Sequence, residues 1–191
     1  MNTYDDELHE YRIDGVVVPS VTTILQAAGL YDDTWFTESA RARGKYIHTA
    51  VLYYLQDDLV EDSIPEEYRG YIAAFKSFMA DTGFQADIQN CEKPVYMAIY
   101  GYAGTPDLVG YMNDCFTLID IKTGAETPTT GIQLAAYEQL IGSPIVSKRH
   151  GLYLKDTGKY KLIQYTDRND LKLFNASLSL YHWRQKEVLL K

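Results

Sequence analysis

The chain has 191 residues, 46% of them hydrophobic and 17 of them Tyr, enough apolar and amphipathic surface for the core of a single domain over 1–191. A formal net charge of −8 argues against a protein that coats nucleic acid, since nonspecific affinity comes from many Lys and Arg neutralising phosphates; an enzyme that grips DNA locally stays open. Apolar runs are short, Met1 to Glu10 is acidic and polar, and Cys91 and Cys115 are too few for a four-cysteine metal site, so the expectation is an intracellular, cytoplasmic protein without signal peptide, membrane span or disulfide framework.

In chain order, Val16-Val-Val-Pro19 reads as a short strand, Ser20 as the cap of a helix reaching about Ala28, and Gly29 as its terminator. A longer helix is expected from near Thr34 to Gln56. A third, over Glu66 to Thr82, carries the apolar stripe Tyr68, Tyr71, Ile72, Phe75, Phe78 and Met79 and closes at Gly83. Strand-like segments begin around Ala86. Leu108 to Met112 and Cys115 to Ile121 form a hairpin about the two-residue turn Asn113-Asp114. Thr130-Gly-Ile-Gln133 opens a helix that ends at Gly142. Lys148 to Lys155 and Tyr160 to Thr166 pair through Asp156-Thr-Gly158, and Asp167 caps a last helix to about Leu189. Helices, then strands with one helix interposed, then a terminal helix imply an α/β chain of α+β character, with a mixed central sheet flanked by helices.

The hairpin carries the most chemistry. Its register sets Asp107 directly opposite Asp120, and facing positions on antiparallel strands have Cβ atoms about 4.5–5.5 Å apart, where like charges repel unless compensated. A divalent cation would compensate them. Strand period puts Lys122 on the face of Asp120, within reach of a phosphate oxygen or a metal-bound water. An ordinary solvated strand pair bearing two acids and a lysine is the competing reading.

On the second helix Arg41, Gly44, Lys45, His48 and Leu52 fall at helical spacing, so His48 shares a face with two cations and a glycine. That face suits a phosphate; a packed or solvated His is the alternative. Imidazole is an unusual partner for Mg²⁺, so a His ligand leans toward Mn²⁺. On the later helix Gln133 and Tyr137 share a face and can meet backbone phosphates, unless Thr130 and Gln133 make a capping box and Tyr137 is core edge.

The blocks Val18-Pro-Ser-Val-Thr-Thr-Ile-Leu25, Ala40-Arg-Ala-Arg-Gly-Lys-Tyr-Ile-His48, Gly101-Tyr-Ala-Gly-Thr-Pro-Asp107, Asp120-Ile-Lys-Thr-Gly124 and Gln133-Leu-Ala-Ala-Tyr137 together resemble the PD-(D/E)XK nuclease superfamily. More narrowly they resemble its RecB-like exonuclease branch, which includes small phage recombination exonucleases and the mitochondrial genome maintenance exonuclease. The resemblance implies a restriction-endonuclease-like core and a site in which His48, Asp107, Asp120 and the Ile121 carbonyl bind Mg²⁺ or Mn²⁺. It makes Lys122 the catalytic lysine, with Asp107 and Asp120 beside it, and sets Gln133 and Tyr137 against the DNA backbone. Glu92 corresponds loosely to an acid on the preceding strand, with Pro94 close by. Arg41 and Lys45 would position neighbouring phosphates without reading sequence.

The activity so implied is metal-dependent DNA exonuclease action on linear double- or single-stranded DNA, in phage-type recombination, repair or DNA processing within a phage or prokaryotic host. A single-strand annealing protein and self-assembly into an oligomer are implied only by analogy. The chain lacks the cysteines of iron–sulfur relatives and the motor domains of helicase-fused ones. An endonuclease of the same fold, a catalytically silent DNA-binding or assembly protein, and a metal enzyme acting on another phosphoester are the alternatives.

Overall fold

The computed structural model describes residues 1–6, 8–31, 37–142 and 148–189, with 187–189 by backbone alone. A three-stranded meander opens the chain: β1 (Thr3–Asp5), β2 (Glu10–Ile13) and β3 (Val16–Val18). Then follow α1 (Val21–Ala27), α2 (Glu38–Leu55), a 3-10 turn at Glu61–Ser63 and α3 (Glu66–Thr82). Next come β4 (Gln85–Ala86), β5 (Val95–Met97), β6 (Tyr102–Gly104), β7 (Leu108–Met112) and β8 (Cys115–Lys122). The chain continues through α4 (Thr129–Ile141), β9 (Lys148–Leu154), β10 (Tyr160–Tyr165) and α5 (Asn169–Leu189).

The helix ends follow from side-chain chemistry. Ser20 Oγ accepts from Thr23 N at 3.0 Å to start α1, and Thr37 Oγ1 accepts from Ala40 N at 3.2 Å to start α2. The expected start of α2 near Thr34 lies outside the described residues. Gly83 ends α3 in the left-handed conformation at φ 61°, its N–H donating to the Met79 carbonyl, and Gly142 ends α4 in the same way at φ 62°. Between β7 and β8, Asn113 (φ 51°) and Asp114 (φ 58°) both take left-handed backbone, as a two-residue hairpin turn matched to strand twist requires.

The central sheet has the order β10-β9-β8-β7-β4 and is mixed. β8 pairs with β9 in parallel and all other neighbours are antiparallel, because α4 carries the chain back from the end of β8 to the start of β9. Alternate residues of β7 and β8 serve opposite faces. Leu108, Met112, Ile119 and Ile121 pack with the buried residues of α2 and α3, including Phe75 and Phe78 at 0% exposure. Val109 and Leu118 pack on the other face with α1, α4 and α5. Fully burying one such side chain contributes about 1.5–3 kcal/mol, so each face holds its own helical layer.

α4 has no exposed face over Thr130–Tyr137, since it lies between the sheet and α5. Leu108 pairs with Ile119. Continuing that register sets Asp107 opposite Asp120, on the face of the sheet that α4 covers. The expected mixed sheet with flanking helices is the observed architecture. β1 and β2 had no counterpart in the sequence reading. Cys91 and Cys115 are both free thiols, and among the described residues no helix is long and apolar enough to cross a membrane.

Candidate active site

The end of the β7–β8 hairpin, the middle of α2 and the turn before β5 meet at one point. His48 Nδ1 lies 3.0 Å from Glu92 Oε1 and 3.6 Å from Asp107 Oδ1, while Nε2 lies 3.2 Å from the Ile121 carbonyl. Asp107 Oδ2 accepts from the Ile121 N–H at 2.6 Å, which fixes one carboxylate oxygen and leaves the other toward His48. Lys122 Nζ lies 2.7 Å from Asp120 Oδ2 and donates to Gln133 Oε1 at 3.1 Å; Gln133 Nε2 in turn donates to the Tyr137 hydroxyl at 3.1 Å. A lysine on the strand is thereby held from both sides, by an acid on its own strand and by an amide on α4.

Burial makes this cluster electrostatically tense. Asp107 is 7% exposed and Asp120 1%. Burial, followed by repulsion from Glu92, pushes the Asp107 carboxyl up to about 6 against the pull of His48 and Lys122. Burial also raises Asp120 to about 6, with Lys122 opposing and Asp107 adding repulsion. For His48 burial alone would lower the pKa, but the carboxylates of Asp107 and Glu92 outweigh it and raise the imidazole to about 9. At neutral pH the ring is therefore a cation that donates from Nδ1 to Glu92 and from Nε2 to the Ile121 carbonyl. Lys122 behaves likewise: burial opposes its charge, Asp120 and Asp107 outweigh burial, and its pKa rises.

The donor set fits a divalent cation. Ligand atoms of His48, Glu92 and Asp107 all lie within 4.8 Å of one another. Asp120 Oδ2 is buried and makes no hydrogen bond of normal geometry despite the nearby ammonium, so one acceptor aimed into the site is left short of partners. Carboxylate oxygens, an imidazole nitrogen and a backbone carbonyl together suit Mn²⁺, or Mg²⁺ with a larger share of oxygen ligands.

A cleft of about 700 Å³ opens onto this cluster. Arg41, Gly44 and His48 of α2 form one wall, and the loop from Thr123 to Thr129 with Gln133 forms the other. Arg43 crosses between them, its Nε donating to Thr123 Oγ1 at 3.3 Å and Nη2 to the Thr123 carbonyl at 3.4 Å, with the guanidinium 5.7 Å from the Tyr71 ring centre.

The structure brings His48, Asp107, Asp120, Ile121, Lys122 and Gln133 together and sets Arg41 on the cleft wall. Lys45 is exposed and does not line the cleft, and Arg43 is the basic residue that reaches the opposite wall. Tyr137, at 5% exposure, does not line the cleft either; it lies behind Gln133, whose Nε2 donates to its hydroxyl. The Thr130/Gln133 capping box does not form either; Thr129 N is capped by Thr127 Oγ1 at 3.1 Å, and Gln133 turns to Lys122. Glu92 belongs to no strand but to a turn, at φ 49°, where its N–H donates to the carbonyls of Pro106 and Asp107.

No family model matches the sequence, and no curated protein matches it. Solved structures do. A protein of Eubacterium rectale assigned as an exonuclease superposes with a TM-score of 0.51 at 12% identity, covering 87% of this chain and 79% of that one. An alkaline exonuclease from Laribacter hongkongensis aligns over 90% of this chain and 94% of its own at 15% identity, with a TM-score of 0.41. At this identity the likeness to the Eubacterium rectale structure shows a shared fold, a mixed-sheet core flanked by helices. Within such a core, the facing ends of β7 and β8 carry Asp107, Asp120 and Lys122, and α2 delivers His48 to the same point. Two members of the cluster had little local signal in the sequence. Glu92 is an isolated acid in a turn, and Arg43 lies off the helical spacing that singled out Arg41 and Lys45.

Proposed function

We propose that the chain is a metal-dependent deoxyribonuclease that hydrolyses phosphodiester bonds from the ends of linear DNA. The observation that carries this reading is the buried Asp107–Asp120 pair, flanked by His48 and Glu92 on one side and by Lys122 on the other. Two carboxylates whose ionisation burial resists, beside an acceptor short of hydrogen bonds, are an arrangement that a divalent cation relieves.

His48, Asp107, Asp120, the Ile121 carbonyl and, in addition, Glu92 would hold Mg²⁺ or Mn²⁺. The bound ion would supply Lewis-acid polarisation of the scissile phosphate and a lowered pKa for water. Lys122, as an ammonium held by Asp120 and Gln133, donates hydrogen bonds to the phosphate and stabilises charge as it develops there. Asp107, tied to the Ile121 N–H, stays fixed while the phosphate is bound. Arg41 sits on the cleft wall where a neighbouring phosphate would lie, which sets register without reading bases.

The resemblance supports a place in recombination or repair, in a phage or prokaryotic host, beside a single-strand annealing protein. The test is degradation of linear double-stranded, linear single-stranded and closed circular DNA with Mg²⁺, Mn²⁺ or EDTA, alongside Lys122→Ala. Metal-dependent loss of linear DNA alone, absent in the variant, is expected. Cutting of circles would make the enzyme an endonuclease, and no hydrolysis of any substrate would overturn the reading.

A further inference from the structure

A chain of net charge −8 has to concentrate its positive charge where DNA lies. The β9–β10 hairpin does this beside the cleft. Tyr160 pairs with Leu154 and Lys161 with Tyr153. Continued outward, that register sets Lys155 opposite Lys159, and the Lys155 N–H donates to the Lys159 carbonyl at 2.9 Å. Side chains alternate along a strand, so Lys155, Lys159 and Lys161 share one face of the hairpin with Tyr153. That face belongs to the active-site layer, because the Tyr153 hydroxyl donates to Thr130 Oγ1 on α4 at 3.2 Å.

The side chains reach the cleft rim. Lys155 Nζ lies 3.5 Å from the Gly124 carbonyl, and Lys161 Nζ lies 2.7 Å from Glu126 Oε1; Gly124 and Glu126 both line the cleft. Like charges placed opposite each other on paired strands repel, a cost that an anion bound between them would relieve. Among the described residues neither Lys155 nor Lys159 makes a salt bridge to an acid, and both are exposed. Both ammonium groups are therefore open to an anion outside the chain.

We propose that Lys155, Lys159 and Lys161 form a ledge that takes the phosphate backbone of duplex DNA as it leaves the cleft, with Glu126 holding Lys161 until a phosphate displaces it. The proposal rests on the nuclease reading and adds to it the side on which the uncut duplex lies. An acidic protein seated on the same ledge is the competing occupant.

The experiment uses the full chain with Ca²⁺ in place of the activating metal and a fluorescein-labelled blunt duplex, followed by anisotropy over a series of KCl concentrations. Relative to wild type, the Lys155→Gln/Lys159→Gln/Lys161→Gln variant is expected to bind more weakly. Its plot of log affinity against log salt should be shallower by about 2–3, since each phosphate contact contributes about 0.9 to the slope. Glu126→Gln should shift binding the other way and tighten it. Thermal melting establishes that each variant is folded. A triple variant with the wild-type slope and affinity overturns the ledge, which is also the outcome if its occupant is an acidic protein. The nuclease reading fails separately, if wild type neither binds the duplex nor cleaves it with Mg²⁺ or Mn²⁺.

Discussion

Gln133→Leu keeps a side chain of similar bulk on α4 but removes the amide that links Lys122 to Tyr137. In the native site Gln133 Oε1 accepts from Lys122 Nζ at 3.1 Å and its Nε2 donates to the Tyr137 hydroxyl at 3.1 Å. Lys122 keeps Asp120 at 2.7 Å, so the ammonium stays in the site but loses the group that sets its direction. A hydrogen bond to a charged group contributes about 1.5–3 kcal/mol, and each 1.36 kcal/mol of lost transition-state stabilisation is about tenfold in rate. If that bond acts mainly in the transition state, kcat on linear DNA falls about 10- to 150-fold with KM nearly unchanged. Tyr137→Phe leaves the Lys122–Gln133 bond in place and should cost less than about tenfold. Steady-state kinetics on an end-labelled duplex, with urea unfolding to compare stabilities, reads both variants. A Gln133→Leu enzyme with native kcat and raised KM, or a Tyr137→Phe enzyme damaged as much as Gln133→Leu, would refute the positioning role and return both residues to direct contact with the DNA backbone.

Glu92→Gln removes one acidic neighbour of His48, and calorimetric titration should show the Mn²⁺ dissociation constant rising about 10- to 100-fold; an unchanged constant removes Glu92 from the metal site. In metal-free protein His48 is raised from 6.5 to about 9, so its contribution to stability is complete below 6.5 and is lost as pH rises through about 9. A urea midpoint in EDTA that rises over that interval contradicts this, once the titration of the other groups is subtracted with a His48→Gln control. Metal has to displace the same proton and, below about 6, those of Asp107 and Asp120, so Mn²⁺ affinity should climb steadily from acid to alkaline pH. Gly104→Ala would bring a Cβ to 2.7 Å from Tyr137 Cε1 and 3.1 Å from both Leu140 Cδ1 and Val21 Cγ2. Overpacking of this kind costs about 1–3 kcal/mol in urea unfolding, and no cost would mean that α4 can shift freely.

What the sequence revealed and what it hid divide along local and non-local signals. The β7–β8 hairpin was legible to the register because Asn113-Asp114 is a specific turn signal between two alternating runs, and the pairing of Leu108 with Ile119 follows from it. α3 was legible because its buried residues recur at helical spacing and Gly83 marks its end. Short elements were not: β1 and β2 carry acids and exposed positions, so no apolar alternation announces them. Helical spacing also passed over Arg43 on α2. It shows which Cα atoms share a face, whereas the long Arg43 side chain crosses to Thr123 and Lys45 stays outside the cleft. Glu92 reaches His48 across 44 positions of chain, a contact fixed by how α2 packs beside the turn rather than by any local pattern. Gln133 looked like a helix cap because capping chemistry is local, but the stronger partner was the Lys122 ammonium on a neighbouring strand.

The most direct test of the central claim is the rate of linear-duplex hydrolysis against Mn²⁺ concentration for the wild-type chain and for Asp120→Asn, with both shown to be folded. Asp120→Asn keeps the shape of the buried side chain but removes the charge that faces Asp107 and holds Lys122. The account predicts a saturable, EDTA-sensitive rate in wild type and a loss of at least about a hundredfold in the variant, the scale on which removing one electrostatic group from such a site acts. Equal rates in the two proteins, or a wild-type rate indifferent to metal, would contradict it.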